Sequence, residues 1–290
     1  MWTQIVGKTR MLLAPMENHW WNATLYVTPN GLTTSAIPYG SLTFEIEFDW
    51  IAHQLSVRTS GGVDHRFGLY PRSVADFYRE YFACLKSLGI EARINRKPME
   101  FPDTTPFDED QHHASYDKAS VETFRQILIQ ADRALKVFRG RFIGKCSPVH
   151  FFWGSFDLAV TRFSGRRAPE RPGADAATRE AYSHEVSSCG FWPGDRNFRQ
   201  PAFYAYSAPS PAGLDREPVS PGSWNTQLGE FILTYDEVRE KPSPEALIVN
   251  FCQTTYEAGA KLAHWDRAAL ERPDPSPALA STSRLPGQLT

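Results

Sequence analysis

Residues 43–50, TFEIEFDW, alternate between apolar and polar side chains without interruption. Phe44, Ile46 and Phe48 fall on one side of an extended chain, and the acidic residues fall on the other. This alternation is typical of an antiparallel strand that has one face on a hydrophobic core and the other in water. Residues 54–59 can return as its hairpin partner, because a glycine pair follows them. The chain is therefore predicted to contain antiparallel sheet.

Helical periodicity with clear start and stop residues predicts three further elements, over 73–88, 118–138 and 243–265. The amino-terminal fifteen residues are predicted to form a core helix. Additional strands are predicted at 25–28, 91–95, 183–191, 202–207 and 230–235. Strands followed by a capped helix occur twice, which could give two pseudo-equivalent halves. The predicted fold class is α+β, with antiparallel sheet layers flanked by helices.

Composition narrows the function classes. The chain has 290 residues and a net charge of −2, so no basic excess exists to neutralise phosphates, and nucleic-acid binding is not expected. No apolar run approaches a membrane span, and Lys8 and Arg10 interrupt the only segment placed like a secretory signal. Four scattered cysteines are typical of a reduced cytoplasmic protein. We expect one α+β domain over residues 1–272 and a disordered Pro- and Ser-rich tail over 273–290.

Residues 147–166, SPVHFFWGSFDLAVTRFSGR, admit two interpretations. Their valine and aromatic content is typical of a strand. A serine and a proline at the start, a glycine near the end and apolar residues at helical spacing are typical of a helix. A helix would place His150 and Asp157 on one face, whereas a single strand would point them to opposite faces. We predict a partly buried helix over 148–163.

The candidate catalytic residues are His150, Asp157, His184 and Glu185. A histidine and a carboxylate in apolar surroundings are suited to proton transfer. Seven residues on a helix correspond to about 10 Å, so His150 and Asp157 would reach opposite ends of one ligand. His150 would act as general base and Asp157 as the orienting carboxylate. The structural alternative is a core histidine bonded to the backbone, with Asp157 in an ion pair.

His150, His184 and Glu185 could also form a set of two histidines and one carboxylate. Such a set suits one divalent metal ion, Zn, Fe or Mn, with open coordination positions. The sequence offers no HExxH motif or other fixed ligand spacing to strengthen this interpretation. Phosphate-cradling glycine motifs and a G-x-S-x-G elbow are also missing from the sequence.

Five further residues are predicted to contact a ligand. Arg162 could hold a carboxylate or phosphate group, although charge placement near a helix end and surface pairing explain it better. Aromatic side chains and one histidine could form the wall of a pocket or, alternatively, part of the core. These residues are Trp153, Trp192, Trp20 and His19.

Several segments, among them WTQIVGK, NHWWN, RSVADFY, GKCSPVHFFWGSFDLAVTRFSGR and AYSHEVSSCGFWPG, resemble a widespread bacterial family. That family is catalogued only as a domain of unknown function (family number 5996). The resemblance extends over nearly the whole chain and implies one full-length unit. It implies no activity, cofactor or substrate.

Together the residues predict an enzyme that acts on a small polar metabolite by acid–base or metal-assisted chemistry, with hydrolysis as the default class. The alternative is a non-catalytic protein that binds a small ligand or serves as a scaffold, in which the aromatic residues form a pocket wall or interface. The expected partner is a small molecule, and the sequence does not predict an oligomeric state.

Overall fold

A computed structural model describes residues 1–273 of the chain, and the predicted disordered tail after Pro273 lies outside them. The helices are α1 (Trp2–Leu13), α2 (Val74–Ser87), α3 (Lys118–Gly140), α4 (Ala176–Ala181), α5 (Tyr235–Arg239), α6 (Pro244–Leu262) and α7 (Arg267–Leu270). Short 3₁₀ segments lie at Asn18–Ala23 and Leu214–Arg216. The three predicted helices with start and stop signals are α2, α3 and α6.

Within residues 1–273, twelve strands form two antiparallel sheets. The strands of the first sheet are β1 (Tyr26–Val27), β2 (Gly31–Thr33), β3 (Ile37–Tyr39), β4 (Leu42–Asp49), β5 (Gln54–Thr59) and β6 (Asp64–Gly68). The strands of the second sheet are β7 (His150–Phe152), β8 (Asp157–Arg167), β9 (His184–Trp192), β10 (Ala202–Ala208), β11 (Ser223–Asn225) and β12 (Glu230–Thr234). The predicted α+β class is therefore confirmed.

The second sheet has the order β11-β12-β10-β9-β8-β7. Leu25 and Phe151 exchange backbone hydrogen bonds of 2.9 and 2.8 Å, which join the start of the first sheet to the edge of the second. One face of the second sheet, which carries Leu158, Val160 and Phe203, packs with α3 and α6 in the main hydrophobic core. The other face is left for the candidate site.

In the first sheet, Phe44, Ile46 and Phe48 of β4 are buried as the alternation predicted, but Glu47 on the opposite face is buried as well, in a 2.7 Å ion pair with Arg58. The Phe67 ring of β6 meets Phe77 of α2 at 5.8 Å, and Trp2 of α1 stacks on Phe77 at 4.7 Å. Two amino-terminal helices therefore close this side of the core.

The helix predicted over 148–163 is wrong, because these residues form the hairpin β7–β8. A four-residue turn between the strands contains Phe156 in a left-handed conformation with φ of 63°. Both faces of β8 are covered, so apolar residues recur at helical spacing without a helix. The hairpin also reverses the chain, which returns His150 and Asp157 to the same face of the sheet.

The strand predicted at 91–95 is also absent from the described residues, where this stretch is irregular. The buried ammonium of Lys8 instead donates a 3.0 Å hydrogen bond to the Asn95 carbonyl and another to the Lys97 carbonyl. Gln4 exchanges two hydrogen bonds of 2.8 Å with the backbone of Met99. Polar side chains of α1 thus satisfy backbone groups that a sheet neighbour would otherwise pair with.

Candidate active site

A cleft of about 250 Å³ lies on the face of the second sheet that is turned away from α3 and α6. Alternation along β8, β9 and β10 decides which side chains reach it, because successive residues point to opposite faces. The floor comes from these strands, from the end of β7 and from the β7–β8 turn. Its residues are Phe152, Ser155, Asp157, Ala159, Thr161, Phe163, Val186, Ser188, Tyr204 and Tyr206.

The roof of the cleft is built from the 3₁₀ segment Asn18–Ala23 and from α4. His19, Trp21, Ala181 and Tyr182 line the cleft from this side. His19 and Trp20 adopt positive φ angles of 59° and 61°, which are uncommon for residues with side chains. The His19 backbone N–H bonds the Glu180 carboxylate at 3.0 Å, so α4 helps to hold this strained turn over the sheet.

Asp157 lies at one end of the cleft and is 7% exposed. Its carboxylate accepts hydrogen bonds from the Ser155 hydroxyl in the β7–β8 turn and from the Tyr204 hydroxyl on β10. Burial raises the pKa of Asp157, and these two hydrogen bonds oppose that change. No lysine, arginine or histidine within residues 1–273 forms an ion pair with it.

Gly190 makes the contact between Tyr204 and Asp157 possible. In the sheet register Ala159 of β8, Gly190 of β9 and Tyr204 of β10 are consecutive cross-strand neighbours. A Cβ atom at Gly190 would lie 2.6 Å from the Tyr204 hydroxyl oxygen. The tyrosine ring therefore crosses β9 over a position without a side chain.

Two further carboxyl groups influence this end of the cleft. The charge of Asp157 and burial together raise the pKa of Glu230 to about 7, with burial as the larger cause. The same two causes, in the same order, raise the pKa of Glu100. Glu100 is exposed overall, but its Oε1 atom lies 2.7 Å from the place that a Cβ on Gly154 would occupy. Acidic groups thus surround Asp157 without a neighbouring cation.

The opposite end of the cleft contains a neutral histidine. The His19 Nδ1 atom lies 2.9 Å from the Glu180 carbonyl oxygen, and Nε2 lies 2.6 Å from the Lys145 ammonium. This pattern requires the Nδ1–H tautomer, with Nε2 accepting from Lys145. Burial and the positive charge of Lys145 lower the pKa of His19.

Hydroxyl groups connect the two ends along the floor. Thr161 and Ser188 lie 3.0 Å apart through their side-chain oxygens, and so do the hydroxyls of Tyr182 and Tyr206. A cleft with aromatic walls, several hydroxyl donors and one buried carboxyl can orient a small molecule and exchange a proton with it.

His150 shares the cleft face of the sheet but lies behind the lining. It is 1% exposed, and the rings of Trp21, Tyr26 and Phe152 pack edge-on around it. Its Nε2 atom has no hydrogen-bond partner within residues 1–273. Burial, with smaller contributions from two arginines, lowers its pKa to about 3. A neutral core histidine is therefore the better description, and the backbone hydrogen bond of the structural alternative is not formed.

The proposed metal ligands do not converge. His150 pairs with Ala159 and His184 pairs with Arg167, so eight positions of β8 separate them, roughly 25 Å. Glu185 points to the other face and forms a 2.7 Å ion pair with Arg166. In the described part of the chain, no group of three His, Cys, Asp or Glu side chains could hold a metal ion. His184 does approach the His19 ring, at 5.8 Å.

Arg162 is not an anion anchor for this cleft, because its position in β8 turns it to the helical face. It is fully buried, donates to the Phe138 carbonyl and stacks on the rings of Phe138 and Tyr256 at 3.5 and 4.4 Å. The guanidinium therefore belongs to the core beneath α3 and α6.

The three tryptophans predicted to contact a ligand lie in different places, and none of them is among the described residues that line the cleft. Trp153 is buried against α1, where its ring atom Cδ1 lies 2.2 Å from the place of a Cβ on Gly7. Trp192 stacks on Phe198 at 5.8 Å, beyond the end of the cleft. The indole N–H of Trp20 is buried without a partner among the described residues, and Trp21, its neighbour, lines the cleft instead. Of the predicted site residues, Asp157 and His19 line the cleft.

Three tyrosines were missed by the sequence interpretation, namely Tyr182, Tyr204 and Tyr206. The segment AFYAYSA of β10 contains the signal for two of them, because Tyr204 and Tyr206 alternate with Phe203 and Ala205. Polar-tipped rings on one face and apolar residues on the other indicate two differently covered faces of a strand.

Comparison with known proteins gives one match. The model of a family of unknown function (DUF5996) matches residues 1–272. No curated protein and no solved structure matches the chain. Among residues 1–273, none of the helices combines the length and apolar character that crossing a membrane requires.

Proposed function

Because the chain belongs to DUF5996, a family of unknown function, we propose a function from the site itself: an enzyme that acts on a small polar metabolite by acid–base chemistry in the cleft. The observation that carries the proposal is Asp157, a buried carboxyl that opens onto the cleft and has no cationic partner in residues 1–273. Carboxyl groups with strongly perturbed environments in clefts are candidates for catalysis.

Asp157 is the group that exchanges a proton with the substrate. Its raised pKa brings the protonated and ionised forms closer in population near neutral pH than those of an exposed aspartate. Tyr204 and Ser155 are its positioning residues, since both donate to it and both line the cleft. The Glu230 carboxyl, with a pKa of about 7, can also accept or release a proton at this end of the cleft.

The other residues bind and orient. His19 is fixed through both ring nitrogens, so it offers a rigid apolar edge to the substrate rather than a free base. Thr161 and Ser188 supply hydroxyls that can hydrogen-bond a polar substituent along the floor. The Trp21 and Tyr182 rings of the roof cover the substrate and limit access of water.

Turnover of an unidentified substrate can be tested with a small-molecule extract from bacterial cells. The extract is incubated with the wild-type protein, with Asp157→Asn and with Glu185→Gln, and is compared by untargeted mass spectrometry. We expect wild type and Glu185→Gln to deplete the same compound and form the same product, and Asp157→Asn to do neither. Glu185 is the matched control because its carboxylate pairs with Arg166 on the face away from the cleft.

Identical extracts for wild type, Asp157→Asn and a sample without protein would contradict the enzymatic proposal. Depletion of a compound without product, in proportion to the protein added, would instead identify the cleft as a binding site without turnover.

A further inference from the structure

The lining of the cleft also indicates the chemical class of its ligand. This inference rests on the proposed function and goes beyond it. We propose that the substrate is a small organic amine, whose ammonium group is held by the Asp157 carboxylate among the aromatic rings of the cleft.

The first argument is the composition of the lining. Six aromatic side chains line the cleft: Trp21, Phe152, Phe163, Tyr182, Tyr204 and Tyr206. Asp157 is the one carboxyl group among the lining residues, and no lysine or arginine of residues 1–273 is among them. The faces of aromatic rings attract cations, and a desolvated cation gains most from them. An ammonium group satisfies both the rings and the carboxylate, whereas an anionic group would satisfy neither.

The second argument is the direction of the electrostatic field. Burial and, after it, the charge of Asp157 raise the pKa of Glu100 and of Glu230, so these carboxyl groups produce negative potential at this end when they are ionised. At the other end, the Lys145 ammonium lies 5.0 Å from the Phe163 ring and 5.4 Å from the Trp21 ring. A cationic ligand is therefore attracted towards Asp157 and repelled from the Lys145 end.

The third argument concerns the proton on Asp157. The titratable groups that face this carboxyl are Glu100, Glu230, Tyr204 and Tyr206, none of which is a cation. When an ammonium ligand enters, it stabilises the ionised carboxylate, and the Asp157 proton is released to solvent. If the amine enters uncharged, it takes the proton from Asp157 directly, and the same ion pair results. In both cases an N–H proton of the bound ammonium can return to the Asp157 carboxylate at the reacting end.

The volume limits the size of the amine. A cleft of about 250 Å³ is smaller than the ~300–1,000 Å³ typical of drug-sized ligands. Four alternate positions of β8, from Asp157 to Phe163, span about 20 Å. The ligand is thus narrow, with the amine at one end of a slender body.

Isothermal titration calorimetry with three probes of one shape tests the proposal: 2-phenylethylamine, 2-phenylethanol and phenylacetate. We expect 2-phenylethylamine to bind at least tenfold more tightly than the alcohol, and phenylacetate to bind most weakly. Repeating the amine titration at pH 6 in buffers of different ionisation enthalpy should reveal net proton release. Asp157→Asn should lose both the amine preference and the proton release while it still binds the alcohol.

Equal or tighter binding of the alcohol or phenylacetate, or no binding of the amine, would overturn the proposal. An unchanged amine preference in Asp157→Asn would overturn it as well. If Asp157→Asn fails to fold, Glu230→Gln replaces it in titrations at pH 8, where the Glu230 carboxyl, with its pKa of about 7, is ionised. A smaller decrease of the amine preference is then expected, because one negative charge is removed outside the lining.

This test can be separated from the test of the proposed function. An amine preference without turnover of any compound contradicts the enzyme and leaves the ligand class standing. Turnover of a compound that lacks an amine, with no amine preference, contradicts the ligand class and leaves the enzyme standing.

Discussion

The Tyr204 hydroxyl on β10 donates a hydrogen bond to Asp157 on β8 across the whole width of β9. The two residues are 47 positions apart in the sequence. Their contact depends on Gly190, which pairs with Tyr204 on one side and with Ala159 on the other and has no side chain to block the tyrosine ring. The register of the sheet and the glycine at position 190 therefore position the candidate proton-transfer group, Asp157.

The first prediction concerns Gly190. A Cβ at this position would lie 2.2 Å from the Leu158 carbonyl oxygen and 2.6 Å from the Tyr204 hydroxyl oxygen. Because the backbone atom cannot move aside cheaply, Gly190→Ala is expected to destabilise the protein by about 1–3 kcal/mol or more. Gly140→Ala, at the end of α3, is the control because nothing lies within 4 Å of its Cβ position. Urea denaturation measures both, and equal stability of the two variants would contradict this account of the register.

Glu230 predicts a pH dependence of stability. Its folded-state pKa of about 7 exceeds the ordinary value of 4.5, so the folded protein binds the extra proton between these pH values. The stabilisation that it contributes is present below pH 4.5 and is lost as the pH rises through 7.

Glu230→Gln removes this titration. Relative to the wild type, the variant should gain about 1–3 kcal/mol in the free energy of unfolding between pH 4 and pH 8. Denaturant titrations at both pH values measure the difference. A constant difference would show that the Glu230 carboxyl titrates as it does in the unfolded chain.

His150 is expected to change the stability of the protein with pH in the opposite direction to Glu230. Its folded-state pKa of about 3 lies below the ordinary 6.5, so the unfolded chain binds the proton first as the pH falls. Stability is therefore lost as the pH falls from about 6.5 towards 3. His150→Phe keeps an aromatic ring among Trp21, Tyr26 and Phe152 and should gain about 2 kcal/mol over the wild type between pH 7.5 and pH 5.

The same variant distinguishes a core role from a catalytic one. His150→Phe should retain turnover of whatever compound the wild type depletes, because the imidazole lies behind the lining. Loss of turnover with an intact fold would return His150 to the catalytic residues.

A further prediction concerns the effect of Lys145 on the pKa of His19. The ammonium lies 2.6 Å from His19 Nε2 and, after burial, is the next cause of the lowered pKa of this histidine. Lys145→Met should raise the pKa of His19, as followed by the ring chemical shifts in an NMR titration. Lys136→Met is the control, because Lys136 bonds Asp132 on α3. An unchanged His19 titration in Lys145→Met would mean that the two groups do not interact in solution.

The sequence predicted most helices and strands because their periodicity has one cause, a single buried face. The β4 alternation and the capped helix after Ser73 are such cases, and both are confirmed. The helix prediction within residues 147–166 was wrong for the opposite reason. Both faces of β8 are covered by other parts of the protein, so polar residues do not alternate with apolar ones along the strand. The serine, proline and glycine of this stretch are also residues that commonly begin or end helices.

The site was predicted only in part. Asp157 and His19 stand out locally, as a carboxylate and a histidine among aromatic residues. Tyr204 and Gly190 do not, because their role depends on the pairing of β8, β9 and β10, which local periodicity does not specify. The prediction that Arg162 contacts a ligand depended on the same unknown pairing. Neighbouring residues of β8 point alternately to the cleft and to the core, and Arg162 points to the core.

The account depends most directly on the protonation of Asp157. NMR titration of the protein labelled with ¹³C at the aspartate carboxyl carbons would follow this group, with Asp157→Asn to assign its signal. The account predicts one aspartate signal that titrates at higher pH than the exposed aspartates, that disappears in Asp157→Asn and that shifts to the ionised form when 2-phenylethylamine is added. A signal for Asp157 that titrates with the exposed aspartates, and does not respond to the amine, would contradict it.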